Sequence, residues 1–213
     1  FDDTQKQLTI EAYCQHYQHK LQAPWDKPQT YLEQEKQLSG LTELVQNPFM
    51  LQMVLEILPR LALKNTEEKL QRYDVLCEYV KLHAERDANK LEKHYGKLTS
   101  VLYPNYETGL IEYAQDLAME MFLEKKQHQS AQPGINHIRY APKDPHNPWQ
   151  RFFGEKTHYQ PWQQGGCLLL VTQSDENNQP MIEYKFRHKS LLEYFALGKF
   201  CLLYTSDAAD DIR

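Results

Sequence analysis

The chain is poor in the features that mark specialised proteins. Only 8 of its 213 residues are glycine, which excludes a collagen-like or glycine-rich low-complexity chain. Its cysteines, at positions 14, 77, 167 and 201, form no C-x-x-C pair and no paired framework. That excludes a disulfide-stapled secreted scaffold and fits a reducing, cytoplasmic setting. No apolar run approaches the ~20 residues of a membrane helix, and Cys167 to Val171, which no other run exceeds, has the length of a buried strand. No secretory leader is recognisable, and the chain opens on Phe1 rather than Met, so it reads as a piece of something longer. Positive charge is also short: Lys+Arg 24 against Asp+Glu 29, a net charge of -5. This argues against a nucleic-acid reader and against a polybasic membrane binder. Neither a G-x-x-x-x-G-K-S/T loop nor a supported Ser/His/Asp or Cys/His arrangement occurs, so the chain by itself is not expected to be an enzyme.

What remains is an ordinary globular composition, 41% hydrophobic and 25% charged. One stretch stands outside it. CLLYTSDAAD, Cys201 to Asp210, matches residue by residue the translated read-through of a common transposase-end sequencing adaptor. Residues 201–213 are therefore expected to be foreign to the natural protein. Without them the acids fall by three and the bases by one, from 29 and 24 to 26 and 23.

The first two-thirds reads as helix after helix. Thr4 to Leu21 carries a broad apolar face of Leu8, Ala12, Tyr13 and Leu21, with Ile10 and Tyr17 alongside. Pro24 and Pro28 break it, Tyr31 to Lys36 is short and polar, and Gly40 precedes Leu41 to Gln46. The clearest signal is Asn47 to Leu63, NPFMLQMVLEILPRLAL. Asn47 suits an N-cap and Pro48 the first helical position. The following residues leave almost no polar face, which predicts burial on several sides. Pro59 is expected to kink or end this helix. Glu67 to Asn89 has Leu70, Tyr73, Cys77, Val80 and Ala84 at helical spacing, and Gly109 to Lys126 has Ile111, Ala114, Leu117, Ala118, Met121 and Phe122. His128 to Pro148 is expected to be a loop with little regular structure, and Trp149 to Phe153 a short aromatic helix.

The period then changes. Cys167 to Thr172 reads as a strand, Ser174 to Pro180 as turn chemistry, and Met181 to Arg187 alternates, with Ile182, Tyr184 and Phe186 on one face. This hairpin runs into a helix from Ser190 to Phe200. The expected fold is thus mainly α: a helical bundle followed by a winged-helix domain with a small antiparallel hairpin. Cys14, His16 and His19 do not share one helix face, which argues against a metal site.

Four segments together resemble one family. FRHKSLLEYFAL, Phe186 to Leu197, resembles the F-x-H-x-S-x-x-E-Y/F-x-A signature that closes the winged-helix domain of NACHT-type STAND NTPases. LTELVQNPFMLQMVL, Leu41 to Leu55, resembles their L-x-x-L-x-x-x-P-x-x-L segment. RYDVLCEYV, Arg72 to Val80, and GLIEYAQDLAMEMF, Gly109 to Phe122, are similar to the two intervening helices, in the family's order. The family often has Gln where Leu192 stands. The resemblance spans Phe1 to Phe200 and implies a helical domain over 1–98 and a winged-helix domain over 99–200, with the P-loop nucleotide-binding core lying upstream. It implies ADP or ATP as ligand (with Mg held by the complete protein), a switch from a closed to an open state, self-oligomerisation and signalling.

Two residues carry the implied nucleotide contact. In the family the proline matching Pro48 lies against the adenine or ribose, and the histidine matching His188 contacts the β-phosphate of ADP. From residue type alone, Pro48 is explained as a first-turn proline, and His188 as a helix cap or a satisfied core group. Arg187 and Lys189 read as a solvated strand end, and Glu193 and Tyr194 as anchors of the last helix. Two other functions stay open. A DNA-binding winged helix would need several cations ahead of the hairpin, where Trp149 to Gly166 offers only Arg151 and Lys156. A helical interaction scaffold would use exposed aromatics such as Trp25, Trp149 and Trp162.

Overall fold

The computed structural model describes residues 2–63, 69–95, 106–127, 137–155, 157, 159, 169–176 and 179–210. The chain divides into two compact units, Phe1–Leu82 and His83–Arg213. The architecture is mainly helical with one small antiparallel sheet. No described helix is long and apolar enough to cross a membrane.

The first unit is built on α1 (Asp3–Tyr17), α2 (Pro28–Gln37), α3 (Leu41–Leu44), α4 (Pro48–Leu63) and the start of α5 (Arg72–Tyr95). Asp2 begins α1 with a reciprocal capping box: its carboxylate accepts the Gln5 N–H at 2.8 Å, and the Gln5 side chain accepts the Asp2 N–H at 3.0 Å. The apolar face of α1 is narrower than its composition suggests. Ile10 and Cys14, one turn apart, are buried, whereas Leu8 is exposed. A partly buried ion pair, Lys6 Nζ to Glu35 Oε1 at 2.8 Å, joins α1 to α2. Gly40 adopts φ +85°, and a side chain there would also meet the Leu70 carbonyl oxygen at 2.6 Å, so the turn into α3 requires glycine.

α4 is the centre of this unit. Met50, Leu51, Met53, Val54, Leu55, Ile57, Leu58 and Leu61 are all buried, which places apolar neighbours around most of its circumference. Its start is as predicted: Asn47 Oδ1 accepts the N–H groups of Phe49 at 2.9 Å and Met50 at 3.2 Å. Replacing Asn47 by alanine is expected to cost about 0.5–2 kcal/mol, read as a lower urea midpoint at unchanged slope. Pro59 does not end the helix, which runs on to Leu63. Proline forfeits one N–H there, and the burial of Leu61 beyond it holds the last turn in place.

The second unit contains α6 (Tyr106–Gln127), β1 (His137–Tyr140), α7 (Gln150–Phe153), β2 (Leu169–Glu176), β3 (Gln179–Phe186) and α8 (Lys189–Asp210). The strand order is β1-β3-β2, antiparallel throughout. The predicted hairpin is present, with Leu169 opposite Phe186 and Glu176 opposite Gln179. Its strands extend through most of what reads as a turn. β1 corrects the expectation of an irregular 128–148 loop: His137 to Tyr140 pair with Lys185 to Ile182. Ile138 and Tyr140 face inward and His137 and Arg139 outward, an alternation too short to stand out in sequence.

α6 and α8 pack against each other; Tyr113, Leu117 and Met121 of α6 and Leu191, Leu192 and Phe195 of α8 are buried, while Leu110 joins Ala84 and Tyr106 in a separate small cluster. α7 lies against the sheet, with Phe153 stacked on Tyr184 at 3.8 Å between ring centres. α8 continues past Phe200, and the sequence there is rich in strong helix formers such as Leu202, Leu203, Ala208 and Ala209. α5 also differs in detail from its spacing: Val75, Leu76, Tyr79, Val80 and Leu82 are buried, while Tyr73 is exposed.

Candidate functional site

The strand-to-helix junction of the second unit is built around His188. β3 ends at Phe186 and α8 begins at Lys189, which makes His188 the N-cap residue. Its Nδ1 accepts the backbone N–H of Ser190 at 3.0 Å and lies 3.1 Å from the Ser190 hydroxyl. Its carbonyl accepts the Leu191 N–H at 3.0 Å. A backbone N–H can only donate, so Nδ1 carries no proton in this arrangement, and the neutral ring holds its proton on Nε2. The junction is fixed from both sides, because Phe186 and Phe195 are buried with ring centres 5.6 Å apart. Arg187 and Lys189 are exposed. Lys189 reaches Glu193 at 3.3 Å, one turn on, and Tyr194 packs edge-on against Phe195.

Pro48 belongs to the first unit. It is exposed at the first position of α4, directly after the Asn47 cap. Its missing N–H costs nothing there, and its ring is available on the surface of that unit. Both predicted residues thus stand at capped helix starts, each within its own unit.

A second constellation was not anticipated from the sequence. A cleft of about 250 Å³ in the second unit is lined by Asp116, Met119, Glu120, Arg151, Phe152, Tyr159 and Lys199. The Tyr159 hydroxyl donates to Asp116 Oδ2 at 2.7 Å, and Lys199 Nζ meets Asp116 Oδ1 at 2.7 Å. Arg151 pairs with Glu120 and lies over the Phe152 ring, which itself stacks on Tyr159 at 5.6 Å. Each acid is matched to a base, so the cleft offers neither a nucleophile–base pair nor a net field for a charged substrate. It binds α6, α7 and α8 together.

Burial pushes the Tyr159 phenol upward, and its hydrogen bond to Asp116 adds to that. Burial does the same to Tyr31 and Tyr113. The unfolded chain ionises its tyrosines at about pH 10 while the folded chain keeps these protons, so their contribution to stability is full below that pH and is lost as pH rises beyond it. The urea midpoint is therefore expected to be lower at about pH 11 than at about pH 8. Tyr159→Phe should remove part of that difference.

The other candidates fare unevenly. Trp149 is buried, Trp25 is half-buried with its ring edge-on to Tyr31, and Trp162 lies outside the described residues. An exposed surface made of these three aromatics is thus not what Trp149 forms. Of the two cations that a DNA-reading helix could use, Arg151 is engaged by Glu120, and Lys156 lies outside the described residues. Cys14 is buried while His16 is exposed and set against Tyr17. No group of three metal-ligating side chains occurs among the described residues. Compared with models of known protein families, with curated proteins and with solved structures, the chain finds no match in any of the three.

Proposed function

We propose that this chain is the regulatory part of a NACHT-like STAND NTPase, a helical domain over 1–98 and a winged-helix domain over 99–200 that sense bound ADP or ATP. In this reading the P-loop core, with its Mg, lies upstream of Phe1, and residues 201–213 come from a sequencing adaptor and have no role. The observation that carries the reading is the junction at His188. The segment with the family-like pattern F-x-H-x-S forms the end of a central strand and the capped start of a helix, with the His188 ring half-buried at that junction. A neutral imidazole that accepts at Nδ1 has its proton on Nε2, and an N–H of this kind suits a phosphate oxygen. A hairpin sharing one sheet with a strand from between α6 and α7 supports the winged-helix assignment. Pro48, exposed at the start of α4, supplies an apolar ring of the kind that packs against a base or sugar.

When bound, the nucleotide supplies the charge that holds the closed state. His188 contributes a hydrogen bond made in that state, and its loss frees the winged helix and permits oligomerisation. The chain's own residues bind and report; none of them cleaves the nucleotide. Sequencing the intact gene tests this directly. A G-x-x-x-x-G-K-S/T loop is expected in the same reading frame upstream of Phe1, and an upstream frame without one removes the proposal.

A further inference from the structure

We propose that the outer edge of β2 is a docking site for an extended peptide segment of another protein. The segment pairs antiparallel with β2, seats one large apolar side chain at the hairpin and brings basic residues to the acidic end of the strand. This stands apart from the nucleotide reading.

The two edges of the sheet differ. β1 is four residues long, and its Arg139 is held in an ion pair with Glu183. A short edge strand that carries charge is a poor template for further pairing. β2 is eight residues long, and among the described residues it pairs with β3 alone. Leu170 to Ser174 are all exposed, Leu170 at 38% and Val171 at 46%. That run holds neither a charge nor a proline. An edge of this kind presents a row of backbone donors and acceptors to an incoming strand.

The faces of β2 define what such a strand should carry. Residues directly opposite each other point to one face, so Leu169, Val171 and Gln173 share the face of Phe186, Tyr184 and Ile182. Phe153 covers Tyr184 there, yet Val171 beside it is open. An apolar residue opposite Val171 would extend the covered face by one strand. At the hairpin a hollow of about 270 Å³ is lined by Gln173, Ser174, Pro180, Met181 and Ile182. It has room for one large side chain from the position opposite Gln173. The charges of β2 are Asp175 and Glu176, its last two residues. An antiparallel partner meets them with its first residues, where lysines are complementary. β2 has no cation of its own, so a second copy of the strand cannot supply that match.

The test titrates the nitrogen-15-labelled chain with the capped peptide Lys-Lys-Thr-Phe-Thr-Val-Thr-Val. In the proposed register its lysines fall opposite Glu176 and Asp175, its phenylalanine opposite Gln173 and its first valine opposite Val171. Saturable amide shifts are expected from Leu170 to Ser174, with NOEs between backbone protons of the peptide and of β2. Replacing both lysines by glutamate should weaken binding about tenfold, since like charges then lie opposite each other. Val171→Lys places a charge on the open edge and should weaken the lysine peptide by a similar factor, at an unchanged urea midpoint because the side chain is exposed. With Asp175→Asn and Glu176→Gln combined, the two peptides should bind alike. No saturable shift at millimolar peptide overturns the proposal, as do shifts confined to another surface or equal affinity of both peptides for the unaltered chain. If the chain alone sediments as a dimer whose β2 amides shift with protein concentration, the edge belongs to a second copy and the peptide proposal falls.

Discussion

His188→Asn in the complete protein is expected to release ADP about ten- to a hundred-fold faster than wild type while unfolding at nearly the same urea concentration. Asparagine is among the best N-cap residues, so it can accept the Ser190 N–H in place of Nδ1 and preserve the start of α8. It is too short to stand in for Nε2–H. A hydrogen bond to a charged phosphate contributes roughly 1–3 kcal/mol. In the proposed switch the bond is made in the closed state alone, so its loss should shift the closed–open balance by about one to two powers of ten. His188→Ala removes donor and cap together. It should show the same loss of ADP and, in addition, a stability loss of about 0.5–2 kcal/mol. The pair separates the two roles. Normal ADP retention by the asparagine variant, with a destabilised alanine variant, would mean that His188 caps the helix and does nothing more.

The largest effect on stability is expected from Phe195→Ala. Phe195 is fully buried in the packing of α8, 5.6 Å from Phe186 and 5.2 Å from Tyr194 between ring centres. Truncating a buried aromatic costs about 3–5 kcal/mol, because the cavity adds to the lost transfer energy. Leu197, two residues along the same helix, is 64% exposed. Leu197→Ala should change stability by less than about 0.5 kcal/mol. A phenylalanine variant no weaker than this control would mean that α8 does not pack on the sheet and α6 as described.

How much of this was legible depended on how local the cause was. α4 is fully written in its own residues: a capping asparagine, a first-turn proline and a run with almost no polar face. That α4 runs past Pro59 instead of ending there is less local, because the final turn is held by tertiary burial of Leu61, which the helix's own sequence does not contain. β1 was missed for the same reason. HIRY becomes a strand through its partner, and Ile138 meets Tyr184 from far along the chain. In α1 the apolar letters outnumber the buried positions, and only packing against α2 and α4 decides that Ile10 and Cys14 turn inward. His188 was legible as a candidate because its neighbours form a recognisable pattern, but its cap became definite only with the distance to the Ser190 N–H. The Asp116, Tyr159 and Lys199 group had no sequence signal at all. Its members come from three segments, with Tyr159 and Asp116 43 positions apart, and no spacing rule connects them.

The strand order bears on how the second unit is assembled. β2 and β3 meet across a short link, with Glu176 opposite Gln179, whereas Tyr140 must find Ile182, 42 positions away. Closing the longer loop costs roughly 2 kcal/mol more, at about 0.6 kcal/mol for each doubling of length. The hairpin can therefore form within microseconds as an independent event, and β1 joins only after the chain between them has been gathered in. The order of loss on local opening is the reverse. Amide protons that bond across β1 and β3 should exchange with solvent before those of the hairpin, so the sheet comes apart at the edge that was assembled last.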